Sequence, residues 1–264
     1  MLGTGWTEAV ALVAAFIIAV VASPAGISGA VLLLPFQVSV LGTPSPAVTP
    51  TNLLYNVVAT PGAIYRYWRQ GQTGGRLTRL LVAGTLPGVV AGSIIRVELL
   101  PGARVFDLVV GTVLTPLGVW IALSRPAPQG RSVQADHKIA PSVLVVLSAA
   151  VGCVGGIYGI GGGSILAPIL IGSGRPPSEV APAALASTFV TSVAGVITFT
   201  ILSIHQHAPV APDWLTGIAL GIGGLAGAYT GARIQSRLPD QLIRRAMGVL
   251  VLAIGIRYLL LGAS

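Results

Sequence analysis

The amino-acid sequence predicts an all-α integral membrane protein, a multi-pass helical bundle with about 8–10 membrane segments. Charged residues make up only 8% of its 264 residues, hydrophobic residues make up 53%, and the mean hydropathy is +0.87. Glycine and proline are abundant, as in transmembrane helices, where neighbouring helices satisfy freed backbone groups. A soluble domain carries about 25% charged residues. The composition therefore excludes a soluble globular enzyme, and its apolar content excludes a disordered chain.

The net charge of +8 does not indicate nucleic-acid binding. The basic residues lie in short segments between apolar stretches, where Lys and Arg set the orientation of a membrane protein. The single cysteine, Cys153, allows no internal disulfide. We therefore expect the lipid bilayer as the environment, with no nucleic acid and no cofactor, and the oligomeric state stays open.

Membrane segments are marked by stretches that contain no Asp, Glu, Lys, Arg or His. A transmembrane helix needs about 20 apolar residues. The last stretch is interrupted only by Arg257. In chain order, these stretches are 9–65, 80–95, 108–124, 139–174, 180–204, 214–232 and 246–261. The polar, proline-rich residues 43–46 divide the first stretch into 8–41 and 47–65.

Two of these segments are too long to be single straight helices. As one helix, 8–41 would measure about 50 Å, against a hydrocarbon core of about 30 Å. Glycine, proline and serine indicate a break at 23–26 in this segment, and glycines indicate one at 159–163 in the segment 139–172. We predict that each segment is a hairpin of short helices or a re-entrant pair.

The chain is predicted to consist of two similar halves, a membrane repeat at 1–123 and a second at 139–264, joined by a polar cytoplasmic linker at 124–138. The halves align at an offset of about 133–138 residues. Ordered matches across the whole chain are the basis for this interpretation. The alignment places Gly26 on Gly159, Gly29 on Gly162, Pro35 on Pro168, 51–56 on 187–192, and Arg96 near Arg233.

Loop charges predict that the repeats are inverted. The loops 66–79 and 233–245 each carry four arginines, so the positive-inside rule places both in the cytoplasm, with the linker. The loop 204–212 has no Lys or Arg and is placed outside, as is 96–104. Equivalent loops of the two halves then face opposite sides of the membrane, a recurring design of secondary transporters. Both termini are predicted to lie outside.

Broken segments at matching places in two halves are the best sequence indication of a transport site. Three consecutive glycines at 161–163 would let backbone N–H groups approach a small anion at a helix N-terminus, although glycines also permit close helix packing. Polar side chains four residues apart on the following helices are the second candidate, with interhelical hydrogen bonding as the alternative. The predicted substrate-binding residues are Ser28, Gly29, Asn52, Asn56, Gly161, Gly162, Gly163, Ser164, Ser187, Thr188 and Thr191.

No charged residue lies near the middle of a predicted span. Arg96, Arg233 and Asp107 lie at span ends, where we expect them to snorkel to the interface. Proton-coupled carriers usually need an ionisable group within the membrane. The sequence therefore argues against proton coupling.

Other motifs suggest enzymes, and we consider them weaker. Residues 26–29 form a GxSG string, as in intramembrane serine proteases, with His205 or His207 as the candidate base. Those histidines lie in a loop that we place outside. A metal site formed by them and Asp213 is the less favoured interpretation of this stretch, and an interfacial loop is the favoured one. Residues 159–164 resemble a dinucleotide fingerprint that lacks its third glycine. No catalytic or metal-binding residue is assigned.

The string GGIYGIGGGSILAP at 155–168, followed by ASTF at 186–189, resembles the signature of the TauE/SafE sulfite exporter family of membrane transporters. The first half departs from it, with PAGISGA at 24–30. The resemblance implies transport, by export, of a sulfur-containing anion such as sulfite or an organosulfonate across the cytoplasmic (inner) membrane. The alternatives are a membrane assembly or scaffold protein without a transported substrate and, third, the intramembrane protease.

Overall fold

The computed structural model describes residues 4–43, 47–72, 75–99, 140–206 and 210–263, with scattered residues between 108 and 119. Within these residues every regular element is helical. A 3-10 turn at Ser23–Ala25 follows the first α-helix. The helices are α1 (Thr4–Ala22), α2 (Ala30–Ser39), α3 (Val48–Arg69), α4 (Gly75–Glu98), α5 (Pro141–Tyr158), α6 (Gly162–Gly172), α7 (Pro177–Gln206), α8 (Trp214–Gln235) and α9 (Asp240–Ala263).

Five of the described helices are long and apolar enough to cross a membrane, namely α1, α4, α5, α7 and α8. The length of each of these helices is close to or above that required by a hydrocarbon core of about 30 Å. The predicted class, an all-α multi-pass membrane protein, is confirmed. The predicted linker 124–138 and most of the loop 96–104 lie outside the described residues, as do Asp107 and His207.

Helix α3 has 22 residues, as many as α8, but is more polar. Its threonine and asparagine side chains are buried, with exposures of 0–2%, because α3 packs against α2, α7 and α8. A helix shielded from lipid on its polar side does not need a continuous apolar surface. The buried polar residues of α3 are Thr49, Thr51, Asn52, Asn56 and Thr60.

Both predicted breaks are confirmed. After α1, Gly26 has a φ of +74° and its N–H donates to the Ser23 carbonyl, and after α5, Gly159 has a φ of +69° and its N–H donates to the Gly155 carbonyl. This left-handed conformation favours glycine, which has no Cβ to clash. The helices that follow have only 10 and 11 residues, which is about 15–17 Å and half of a hydrocarbon core. We call α2 and α6 the half-helices.

Glycines allow the long helices to pack at close range. A Cβ at Gly88 of α4 would come within 2.8 Å of the Cys153 backbone nitrogen in α5, and one at Gly152 of α5 would lie 2.5 Å from the Thr85 carbonyl oxygen. The same holds between α1 and α8, where Gly231 would meet the Val20 carbonyl at 2.6 Å. Small residues that bring backbones together are the usual means of helix association in lipid.

One end of the bundle is held together by contacts from four helices. The Tyr67 hydroxyl donates to the Ser23 carbonyl at 3.1 Å. The Gln235 side-chain amide donates to the Pro24 carbonyl at 2.6 Å and to the Pro177 carbonyl at 3.4 Å. The C-terminal ends of α3 and α8 therefore lie side by side, with the start of α7. We call this the arginine-rich end, because the loops 66–79 and 233–245 leave the bundle here.

The opposite end brings the start of α3 to the start of α8, where the Asp213 backbone N–H donates to the Thr51 hydroxyl at 2.8 Å. This arrangement leads to a topology prediction. In a Cys153→Ala background, Gln72→Cys and Gln241→Cys should both react with an impermeant thiol reagent from the cytoplasmic side only. Labelling of the two positions from opposite sides of sealed vesicles would refute the inverted-repeat interpretation.

Candidate substrate-binding site

The residues that follow Gly26 and Gly159 meet near the middle of α3. Asn56 lies eight residues into this helix, about 12 Å from its start. Its amide nitrogen donates to the Ile160 carbonyl at 3.1 Å, and its amide oxygen accepts a hydrogen bond from the Ser28 hydroxyl. Asn56 therefore joins the break before α2 to the break before α6.

Further hydrogen bonds extend this contact into a buried polar cluster. The Ser28 backbone N–H donates to the Ser164 hydroxyl at 3.1 Å, and that hydroxyl lies 3.2 Å from the Thr188 hydroxyl. Beside it, the Thr85 and Ser187 hydroxyls are 2.9 Å apart. All these side chains are at most 3% exposed. The predicted residues Ser28, Asn56, Ser164, Ser187 and Thr188 thus lie together, and we call them, with Thr85, the central cluster.

Both half-helices begin at the central cluster. The Ser28 hydroxyl accepts a hydrogen bond from the Ala30 N–H at 3.0 Å, and α6 begins directly after Gly161. The first N–H groups of a helix have no partner within the helix, and the helix dipole places partial positive charge there. Two such N-termini, approaching one point from two directions, form an environment that favours an anion.

Among the glycines predicted to contact a ligand, Gly161 faces the polar side chains. Its φ is +77°, and a Cβ would lie 2.8 Å from Thr188 Cγ2, 3.2 Å from the Ser192 hydroxyl and 3.5 Å from the Asn56 amide nitrogen. A Cβ at Gly162 would meet Thr85 Cγ2 at 2.6 Å. The three atoms nearest to a Cβ at Gly161 are therefore all side-chain atoms, while a Cβ at Gly163 would lie 2.7 Å from the Thr188 hydroxyl.

The other two predicted glycines are explained by packing. A Cβ at Gly163 would clash with the Ala184 carbonyl oxygen, and one at Gly29 would clash with the Tyr55 hydroxyl. Both positions lie at the start of a half-helix that presses against the next long helix. Close approach, which the sequence left as the alternative to ligand contact, accounts for glycine there.

Two further predicted residues, Asn52 and Thr191, donate hydrogen bonds to backbone carbonyl groups. The Asn52 amide nitrogen donates to the Ala30 carbonyl at 2.9 Å, while its oxygen accepts from the Gln37 side chain at 2.9 Å. Asn52 therefore fastens α2 to α3. The Thr191 hydroxyl donates to the Ser187 carbonyl at 2.8 Å, within its own helix. Neither of these hydrogen bonds connects one half-helix to the other.

Three residues that matter here were not predicted from the sequence. Thr85 belongs to the central cluster, and the Ser192 hydroxyl is buried without a hydrogen-bond partner in the described part of the chain. Ser192 could have been found from the sequence, because the alignment of 51–56 with 187–192 pairs it with Asn56. The third is Arg96. Its side chain is 0% exposed, so the expectation that it snorkels was wrong, whereas Arg233 is exposed as expected.

The serine of the GxSG string has two hydrogen-bond partners. The Ser28 hydroxyl is engaged with Asn56 and with the Ala30 N–H. The described residues contain no group of three His, Cys, Asp or Glu that could hold a metal ion. His207 and the side chain of His205 lie outside the described residues.

A small cavity lies beside one part of the central cluster. It has a volume of about 10 Å³ and lies between the start of α2 and the helices α3, α7 and α8, beside Ser28, Gly29, Tyr55 and Thr60. A cavity of this size holds at most one water.

Sequence relatives of this chain carry transporter names. It is 26% identical over 244 residues to a "Probable membrane transporter protein" of Xylella fastidiosa, covering 88% of this chain and 87% of that one. The protein y4hK of Sinorhizobium fredii, which has the same description, is 24% identical over 258 residues, covering 96% and 99%. "Sulfite exporter TauE/SafE family protein 6" of Arabidopsis thaliana is 32% identical over 71 residues, or 27% of this chain and 17% of that one.

No solved structure matches the chain significantly. The family model described as "Sulfite exporter TauE/SafE" matches residues 11–258, which include both breaks and the central cluster. The match covers nearly the whole chain, in agreement with the resemblance of the string at 155–168. The chain belongs to the sulfite exporter TauE/SafE family of membrane transporters.

Proposed function

We propose that the protein exports a small sulfur-containing anion, such as sulfite or an organosulfonate, across the cytoplasmic membrane, and binds it between the two half-helices. The observation that carries this proposal is the convergence of the N-termini of α2 and α6 on the central cluster. In transporters, the N-termini of broken helices point at anionic groups of the substrate near the middle of the bilayer.

The physical argument is electrostatic. Each helix N-terminus carries about half a positive charge, and its interaction with an anion is worth about 0.3–1 kcal/mol when exposed and about 2 kcal/mol when partly buried. The hydroxyls of Ser164 and Thr188 and the second amide hydrogen of Asn56 add neutral donors. Such a site binds an anion without a fixed positive charge at its centre, and weak binding favours release.

The proposal includes the domain organisation. We propose that 1–123 and 139–264 are inverted repeats joined by a cytoplasmic linker. The equal caps at Gly26 and Gly159 support it, as do the two half-helices of nearly equal length. Rocking of one repeat against the other would then open the proposed site to either side.

The test is flux of labelled sulfite in proteoliposomes that contain the purified protein. We expect efflux well above that of protein-free liposomes, saturation with sulfite, and competition by small organosulfonates but not by cations of similar size. Liposomes with heat-denatured protein are the control for leakage. A correctly folded protein that gives no anion flux would contradict the proposal and favour an assembly or scaffold role.

A further inference from the structure

A serine on α7 lies beside the central cluster without belonging to its hydrogen-bond network. The side chain of Ser192 is 0% exposed, and its hydroxyl has no hydrogen-bond partner in the described part of the chain. It lies one helical turn after Thr188, on the same face of α7. A buried hydroxyl that has lost its water without gaining a partner destabilises the protein. The position of Ser192 therefore calls for an explanation.

The Ser192 hydroxyl and the Asn56 amide approach the same point beside Gly161. A Cβ at Gly161 would lie 3.2 Å from the Ser192 Oγ and 3.5 Å from the Asn56 amide nitrogen. That nitrogen has two hydrogens, and its hydrogen bond to the Ile160 carbonyl uses one of them. Helix α6 begins at the next residue, and its first N–H groups have no partner within the helix. Two side-chain donors thus lie directly beside the N-terminus of α6.

The first half of the chain closes the equivalent position with its own side chains. The alignment of the two halves pairs Ser28 with Gly161 and Asn56 with Ser192. In the first half, the Ser28 hydroxyl donates to the Asn56 amide oxygen. In the second half, glycine has no side chain, and Ser192 lacks the amide group that could reach across to the break. The second half therefore has a hydroxyl donor at the place where the first half has a complete pair.

Two other buried serines without a described partner lie between closely packed helices. Ser93 is on α4 and Ser148 is on α5, and these two helices pack against each other. A Cβ at Gly84 of α4 would lie 2.5 Å from the Ser148 Cβ, and one at Gly156 of α5 would lie 3.0 Å from the Ser93 nitrogen. Small side chains at these positions serve helix packing. Ser192 differs from them because a second donor and a helix N-terminus lie beside its hydroxyl.

We infer that Ser192 is a further substrate-binding residue, whose hydroxyl donates to an oxygen of the bound oxyanion beside Gly161, together with the Asn56 amide. The inference rests on the proposed function and refines it. The anion oxygen gives Ser192 the acceptor that Ser28 finds in the Asn56 amide oxygen. The anion then lies at the N-terminus of α6 rather than midway between the half-helices.

The test is Ser192→Ala, which removes only the hydroxyl. We expect the KM for labelled sulfite in proteoliposomes to rise by about tenfold, while the maximal rate stays within about threefold of the wild-type rate. A tenfold change corresponds to about 1.4 kcal/mol, near the lower end of what a hydrogen bond to a charged group contributes. Ser148→Ala is the matched control, because it removes a hydroxyl that is equally buried and also lacks a described partner. Its KM should stay within about twofold.

Thermal unfolding separates binding from a structural role. Because the Ser192 hydroxyl has no described partner, Ser192→Ala should unfold at the wild-type temperature or higher. Sulfite should raise the unfolding temperature of the wild-type protein and of Ser148→Ala, and that of Ser192→Ala much less at the same concentration.

The outcomes distinguish the inference from the proposed function. A Ser192→Ala variant whose KM and sulfite-dependent stabilisation equal those of the wild type would overturn the inference and leave the proposed function intact. A lower unfolding temperature with an unchanged KM would show a structural hydrogen bond and would also overturn it. A wild-type protein that neither carries sulfite nor is stabilised by it would refute the proposed function, and the inference with it.

Discussion

Gly161→Ala is expected to lower the rate of anion transport by about a hundredfold or more while the protein still inserts into the membrane. An L-residue in the left-handed conformation costs about 1–2 kcal/mol, and the φ of Gly161 is +77°. The new methyl group would lie 2.8 Å from Thr188 Cγ2 and 3.2 Å from the Ser192 hydroxyl. It would push against these side chains directly beside the start of α6. Loss of one hydrogen bond to a charged ligand costs about 1.5–3 kcal/mol more.

Gly71→Ala is the matched control for this variant. Gly71 has a φ of +74°, nearly that of Gly161, but a Cβ there would meet nothing within 4 Å. It therefore has the same backbone cost without filling the site. Flux of labelled sulfite and thermal unfolding of both purified variants separate the two effects. If Gly161→Ala transports as fast as Gly71→Ala, the anion does not bind at the start of α6.

Export is expected to follow the membrane potential and to ignore the pH gradient. Among the described residues no carboxylate is buried, and Arg96 is the one buried charge. Moving a unit charge through the potential is worth about 2.3 kcal/mol per 100 mV, so a divalent anion leaving a negative interior gains about twice that. At about 1.4 kcal/mol per tenfold, this supports a concentration ratio of more than three powers of ten.

The measurement is efflux of labelled sulfite from proteoliposomes whose potential is set by a potassium gradient and valinomycin, at equal pH on both sides. Efflux should rise steeply as the interior becomes more negative. The control imposes a pH gradient at zero potential and should give no acceleration beyond that of protein-free liposomes. Efflux that follows only the pH gradient would require a proton-carrying group, and the neutral site proposed here would be wrong.

The sequence predicted the parts of the fold that depend on local chemistry. The breaks at 23–26 and 159–163 were visible because glycine and proline interrupt apolar stretches that are too long for one helix. Helix α3 was also predicted as a span, although Asn52 and Asn56 lower its hydropathy, because no charge interrupts it. Pattern and length decide such features without any knowledge of tertiary contacts.

The remaining features depend on which surfaces meet. The glycines at 161–163 are equivalent in the sequence, yet the atom nearest to a Cβ belongs to the Thr188 side chain at Gly161 and to the Ala184 backbone at Gly163. The position of Arg96 near a span end predicted an interfacial side chain, whereas packing against Thr49 buries it. Neither outcome can be derived from periodicity, because both are set by helices more than 20 residues away in the chain.

The bond between Ser28 and Ser164 has a consequence for the synthesis of the protein. The donor precedes its acceptor by 136 residues, so the acceptor does not yet exist when the first half-helix leaves the ribosome. α2 is too short to cross the bilayer, and a bare backbone group in hydrocarbon costs several kcal/mol. The Ser28 N–H therefore gains its partner only after the second half of the chain has packed beside the first. We expect the first half alone to be less stable in the membrane than the full chain.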